Sequence, residues 1–141
     1  MCNEIQITLK GHPKWVQVTP YPCYIAIAFT TADITRLGSR VPTWFDDHEA
    51  LGFVEDIEAN RFMVALDINS PALDYSIIAH EGIHLVNSVM GYAGFPATRT
   101  LCVDEPDAYL IQWYVSHVQS EFKRRSNGIS LERHFGRGDN V

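Results

Sequence analysis

Between Pro71 and about Met90 the apolar residues recur every three to four positions, whereas before Ile68 they alternate or run in short blocks. That change of period constrains the fold more than any other feature of the chain. Ile5 to Leu9 alternates as a half-buried strand, and Trp15 to Thr19 alternates again after the turn Gly11-His12-Pro13. Tyr24 to Thr30 is a denser apolar run, the pattern of a more buried strand. Thr31 to Leu37 supplies one or two helical turns, stopped at Gly38, and residues 38–50 carry Pro42, Asp46, Asp47 and His48 as loop. Leu51 to Ile57 and Arg61 to Ile68 read as a hairpin closed at Glu58-Ala59-Asn60.

Two helices follow. The first spans 71–90, with Asn69 or Ser70 as its cap and Pro71 in the first turn. Gly91 and Gly94 end it. The second spans 105–125, with Asp104 as cap, Pro106 in the first turn and Gly128 beyond the end. Residues 126–141 read as a loose tail. Strands first and helices second predict an α+β fold, a mostly antiparallel sheet from 1–68 packed against two C-terminal helices. The 141 residues make a single domain.

The first helix contains Ala79-His80-Glu81-Gly82-Ile83-His84. Each residue advances the helix by about 100°, so His84 lies about 40° from His80, one turn further on. Residues at this spacing stand about 5–6 Å apart, close enough to share one metal ion. Glu81 falls to the side, poorly placed to ligate with both histidines but well placed to reach a water held between them. Ile78, Leu85, Val86 and Val89 form an apolar stripe on the opposite face. Gly82 lies within that stripe, where it lets another element approach closely. The helix therefore has one face for the core and one for one Zn2+ per chain.

A zinc ion that does chemistry needs a third protein ligand and an open position. Glu105, 21 residues beyond His84 at the start of the second helix, is the first choice. Asp104 and Asp107 are alternatives, as cap and first-turn carboxylates. Tyr109 shares a helix face with Glu105, Gln112 and Ser116 and is a candidate hydrogen-bond donor to a ligand or oxyanion. Tyr92, Arg99 and His134 are weaker candidates, and His117 lies off that face. Trp44 and Phe45, in a polar loop, are candidates for substrate contact.

Composition narrows the partners. The net charge of −6 argues against binding nucleic acid through its phosphates. The one dense basic cluster, Lys123-Arg124-Arg125, stands where it complements a helix C-terminus. No apolar run reaches the ~18 residues of a membrane span, and no signal peptide is expected at Met1 to Lys10. Cys2, Cys23 and Cys102 are odd in number and irregularly spaced, which fits a reducing cytoplasm.

His80-Glu81-Gly82-Ile83-His84 followed by Asp104-Glu105-Pro106-Asp107-Ala108-Tyr109-Leu110 resembles the zincin metallopeptidases, in particular the gluzincins. It is also similar to small proteins of bacteriophage genomes assigned as peptidases. The likeness runs from about Arg61 to Val118. It implies that His80, His84 and Glu105 ligate zinc and that Glu81 is the general base of peptide-bond hydrolysis. It also implies that Arg61 to Ile68 is the edge strand along which a protein or peptide substrate aligns. Tyr109 departs from the larger gluzincins, which carry an acidic residue four positions after the glutamate ligand. A second expectation is a zinc-stabilised protein-binding module, a phage or host regulatory protein without turnover. A metal-dependent hydrolase of a non-peptide bond, with a second site at Asp46-Asp47-His48-Glu49, is a third.

Overall fold

The computed structural model describes residues 7–46, 50–58, 60–94 and 105–138, with the side chains of residues 46, 105, 137 and 138 outside that set. The expectations placed on residues 47–49, Ala59, Arg99, Cys102 and Asp104 lie outside the described residues, and of the strand expected at Ile5 to Leu9 the described residues 7–9 carry no strand. The elements are β1 (Val16–Gln17), β2 (Tyr24–Ala28), α1 (Thr31–Arg36), α2 (Thr43–Asp46), β3 (Gly52–Glu58) and β4 (Arg61–Leu66), then α3 (Tyr75–Tyr92), α4 (Glu105–Arg125) and α5 (Leu131–Gly138). The fold is α+β. Its sheet has the order β1-β2-β4-β3, antiparallel except where β2 runs parallel to β4.

The order corrects one expectation. Arg61 to Ile68 is not an edge strand, because β4 lies between β2 and β3, and β3 is the edge. The cause is burial on both faces. Phe62, Val64 and Leu66 point into the main core with α3 and α4, while Met63 and Ala65 point into a second cluster with Ala26, Ala28, Ile34, Leu37 and Phe45. A strand with both faces covered belongs inside a sheet. β3 carries Glu55, Asp56 and Glu58, the charges that suit an edge.

The second cluster means that α1 and α2 thinly cover the face of the sheet away from α3. Thr30 caps α1 by accepting the Asp33 N–H at 3.1 Å. Asp33 in turn accepts from the Phe29 N–H at 2.9 Å and from Arg125 Nη1 at 2.5 Å, a buried ion pair. Arg125 Nε also donates to Lys10 O at 3.1 Å, and Nη2 donates to Gly11 O at 3.2 Å. The expected dipole cluster at 123–125 is therefore, at Arg125, a tether from the end of α4 to α1 and to the segment before β1.

α3 starts later than expected. Its cap is Asp74, which accepts the Ser76 and Ile77 N–H groups, instead of Asn69 or Ser70. Residues before it turn back on themselves, with Ser70 N–H on Asp67 O and Leu73 N–H on Ser70 O, and this seats Leu73 in the core. Ile78, Leu85, Val86 and Val89 are buried as the periodicity requires. Each contributes roughly 1.5–3 kcal/mol relative to exposure. Gly82 faces α4, where a Cβ would stand 3.0 Å from the Tyr114 ring. α4 keeps its expected bounds.

Residues 126–138 do not form the loose tail expected of 126–141. Leu131, His134 and Phe135 recur at helical spacing and form one face of α5, with Leu131 in the core and Phe135 packed against it. His134 Nε2 lies 2.9 Å from Ile68 O, and Tyr75 OH donates to Glu132 at 2.6 Å.

Candidate functional site

The helical phase of α3 decides what reaches solvent. With the apolar stripe against β4 and α4, His80 and His84 are left exposed, their ring centroids 5.1 Å apart. Neither ring hydrogen-bonds to another described residue. Glu81, between the two faces, turns toward the first residue of β3 and is 6 % exposed.

Gly52 makes room for it. Gly52 pairs with Leu66, on the side of the sheet that faces α3. A Cβ there would stand 2.9 Å from Glu81 Cγ, 3.3 Å from Glu81 Oε2 and 2.9 Å from Ala65 O. Helix and edge strand thus close to contact only because this position has no side chain. Burial raises the Glu81 carboxyl above its ordinary value, and the positive charge available on His80 and His84 partly opposes the rise.

His80, Glu81 and His84 line one open hollow of about 470 Å3 between α3 and the start of β3. Gly52, Phe53 and Val54 form its strand wall, and Asn87 and Ser88 extend its helix wall by a turn. Sequence reasoning passed over these five. The signal was Gly52, a glycine opening a strand, which marks a close approach.

The structure brings together His80, Glu81 and His84 and separates other candidates from them. Tyr109 is 66 % exposed and lines a different hollow, with Thr19, Pro20, Tyr21 and Trp113. Gln112 and Ser116, on the same face as Tyr109, are exposed too. The Glu105 side chain lies outside the described residues. Asp107 is buried and belongs to the opposite face of α4, with Leu110, Tyr114 and Val118. Among the described residues no group of three or more His, Cys, Asp or Glu is arranged to hold a metal ion. His134 is buried on Ile68 O, and His117 stacks on Trp113 at 5.1 Å. Tyr92 is exposed at the end of α3, edge-on to Phe62. Phe45 is core, whereas Trp44 is 39 % exposed.

Tyr114 is a further group coupled to the site. It is fully buried across Gly82, and its hydroxyl has no hydrogen-bond partner among the described residues. Burial first, and the negative charge of Glu81 second, push its phenol up.

Chemically, the arrangement offers two imidazoles that can converge on one ion, and beside them a sheltered carboxyl with raised proton affinity. No helix among the described residues is long and apolar enough to cross a membrane. No family model, curated protein or solved structure matches the chain.

Proposed function

We propose that this chain is a zinc-dependent peptidase of the zincin kind, acting on a protein or peptide substrate. The observation that carries the reading is the single hollow in which His80 and His84, 5.1 Å apart, flank a Glu81 sheltered by Gly52. A site that only stabilises the fold needs no base and is closed by four protein ligands. The shelter built for Glu81 therefore favours turnover over the zinc-stabilised binding module.

The donor set fits zinc as far as the described residues go. His80 and His84 would hold the ion, and Glu105 is the third ligand that the resemblance implies. When bound, zinc supplies Lewis acidity and lowers the pKa of water toward about 7. Glu81 would accept the proton of the attacking water and return it to the leaving amine. Its raised carboxyl is better matched to this work near neutral pH than an ordinary glutamate. Tyr109 has no part in this reading.

β3 takes the role first given to Arg61 to Ile68. Its outer edge is unpaired among the described residues, and its first residues wall the hollow. An extended substrate would add there through backbone hydrogen bonds. A cytoplasmic setting belongs to the same proposal, supported by the buried free thiol of Cys23 and the irregular cysteines.

Glu81→Gln tests the reading. The variant should keep its zinc and lose turnover of a peptide library by about 10²–10⁴-fold. Cleavage by the variant at the parental rate would refute the assignment of Glu81.

A further inference from the structure

β3 has a second wall. On the face of the sheet turned away from α3, a pocket of about 620 Å3 opens beside the same strand. Its size falls within the roughly 300–1,000 Å3 of ligand pockets. Trp44, Phe53 and Pro42 form its apolar part, and Arg40 and Glu55 stand at its rim. It shares Phe53 and Val54 with the histidine hollow, so both hollows border the same stretch of β3.

The floor is already formed. Trp44 meets Phe53 edge-on at 5.2 Å, and the buried Phe45 holds Phe53 from behind at 5.5 Å. Trp44 nevertheless leaves more than a third of its surface exposed. Arg40 and Glu55 carry opposite charges, so the rim sets up no net field that selects a charged side chain. A bulky apolar side chain suits such a floor, with aromatic ones gaining edge-to-face contacts.

Register ties the pocket to the site. Gly52 and Val54 pair with Leu66 and Val64 and share the face of α3, while Phe53 pairs with Ala65 and shares the face of the pocket. Side chains of an added strand alternate in the same way. A peptide along β3 that turns one residue toward His80 and His84 must turn its neighbours toward Trp44.

We infer that the Trp44–Phe53 pocket is the specificity subsite of this enzyme and receives a large apolar, preferentially aromatic, side chain adjacent to the bond that is cut. This inference rests on the peptidase reading and names its substrate class.

The test uses the full-length zinc-loaded protein and two eight-residue polar peptides that differ only in a central Phe or Ala. Cleavage is compared between wild type, Trp44→Ala and Thr43→Arg, the last narrowing the pocket from an exposed rim position without removing a core side chain. Wild type should prefer the Phe peptide by at least roughly tenfold in kcat/KM. Both variants should reduce that ratio to about twofold or less, mainly through KM. Retention of the preference in both variants overturns the pocket. Binding of the same peptides to Glu81→Gln, read by fluorescence anisotropy, separates the two readings. A Trp44-dependent preference for Phe in binding, with no cleavage by wild type, supports the pocket and removes the peptidase. No Trp44-dependent preference in either assay overturns the pocket whatever is cleaved.

Discussion

Gly52 and Glu81 occupy one space: a Cβ on the first would lie 2.9 Å from Cγ of the second. The edge strand and the face of α3 that carries His80 and His84 are joined through this contact. Gly52→Ala should therefore cost about 1–3 kcal/mol of stability, the usual penalty of overpacking. It should also reduce peptide turnover while leaving zinc content unchanged, because the histidines are not touched. Urea unfolding and elemental analysis on one preparation check both halves. An alanine variant with parental stability and activity would show that the approach is looser than the geometry indicates.

The raised carboxyl of Glu81 has a consequence for metal-free protein. Its folded pKa lies above the usual glutamate value of about 4.3. Below that value both folded and unfolded forms are protonated and the group adds no penalty. As pH rises through the folded pKa, the buried carboxylate must ionise, and stability is lost relative to a neutral side chain. Glu81→Gln should thus gain stability over wild type between pH 5 and pH 8 in the presence of a chelator. Parallel stability–pH curves would contradict the burial of this carboxyl.

Asp33 and Arg125 pair at 2.5 Å in the interior, with Phe29, Lys10 and Gly11 completing the hydrogen bonds. Removing one partner strands the other charge, so Arg125→Met or Asp33→Ala should each cost about 3–5 kcal/mol. The double variant should lose clearly less than the sum. Additive losses in thermal or urea unfolding would mean that the pair is not coupled.

The Tyr114 hydroxyl is buried without a hydrogen-bond partner among the described residues. Deleting it removes a desolvated group and no hydrogen bond, so Tyr114→Phe should be neutral or stabilising by up to about 1 kcal/mol. A loss of that size instead would reveal a hydrogen bond made in solution, with Glu81 as the nearest charge.

Much of this was legible in the sequence, because it follows from period. The face of α3 that carries Ile78, Leu85, Val86 and Val89, the close approach at Gly82 and the bounds of α4 all come from spacing that any helix imposes. Strand order does not follow from local pattern, and there the expectation for Arg61 to Ile68 failed. The consecutive apolar residues Phe62 to Leu66 did mark a strand covered on both faces, and Glu55, Asp56 and Glu58 marked the edge. Weighing one strand against the other would have found the order. The cap of α3 escaped because Asn69, Ser70 and Asp74 are all competent, and only tertiary packing of Leu73 selects among them. α5 was missed because Leu131 and Phe135 are two apolar residues in a short polar segment, and their helix forms by packing on the core. Tyr109 looked functional from its share of a helix face with Glu105, but a face has no meaning until its neighbour is known.

Zinc content per chain, measured by elemental analysis on wild type, His84→Ala and Glu105→Ala, decides whether His80 and His84 hold a metal ion. The account predicts close to one zinc per chain in wild type and a clear loss in His84→Ala, with Glu105→Ala falling likewise if the implied third ligand is right. Wild type that takes up no zinc after reconstitution, or a His84→Ala variant that holds as much as wild type, would contradict it.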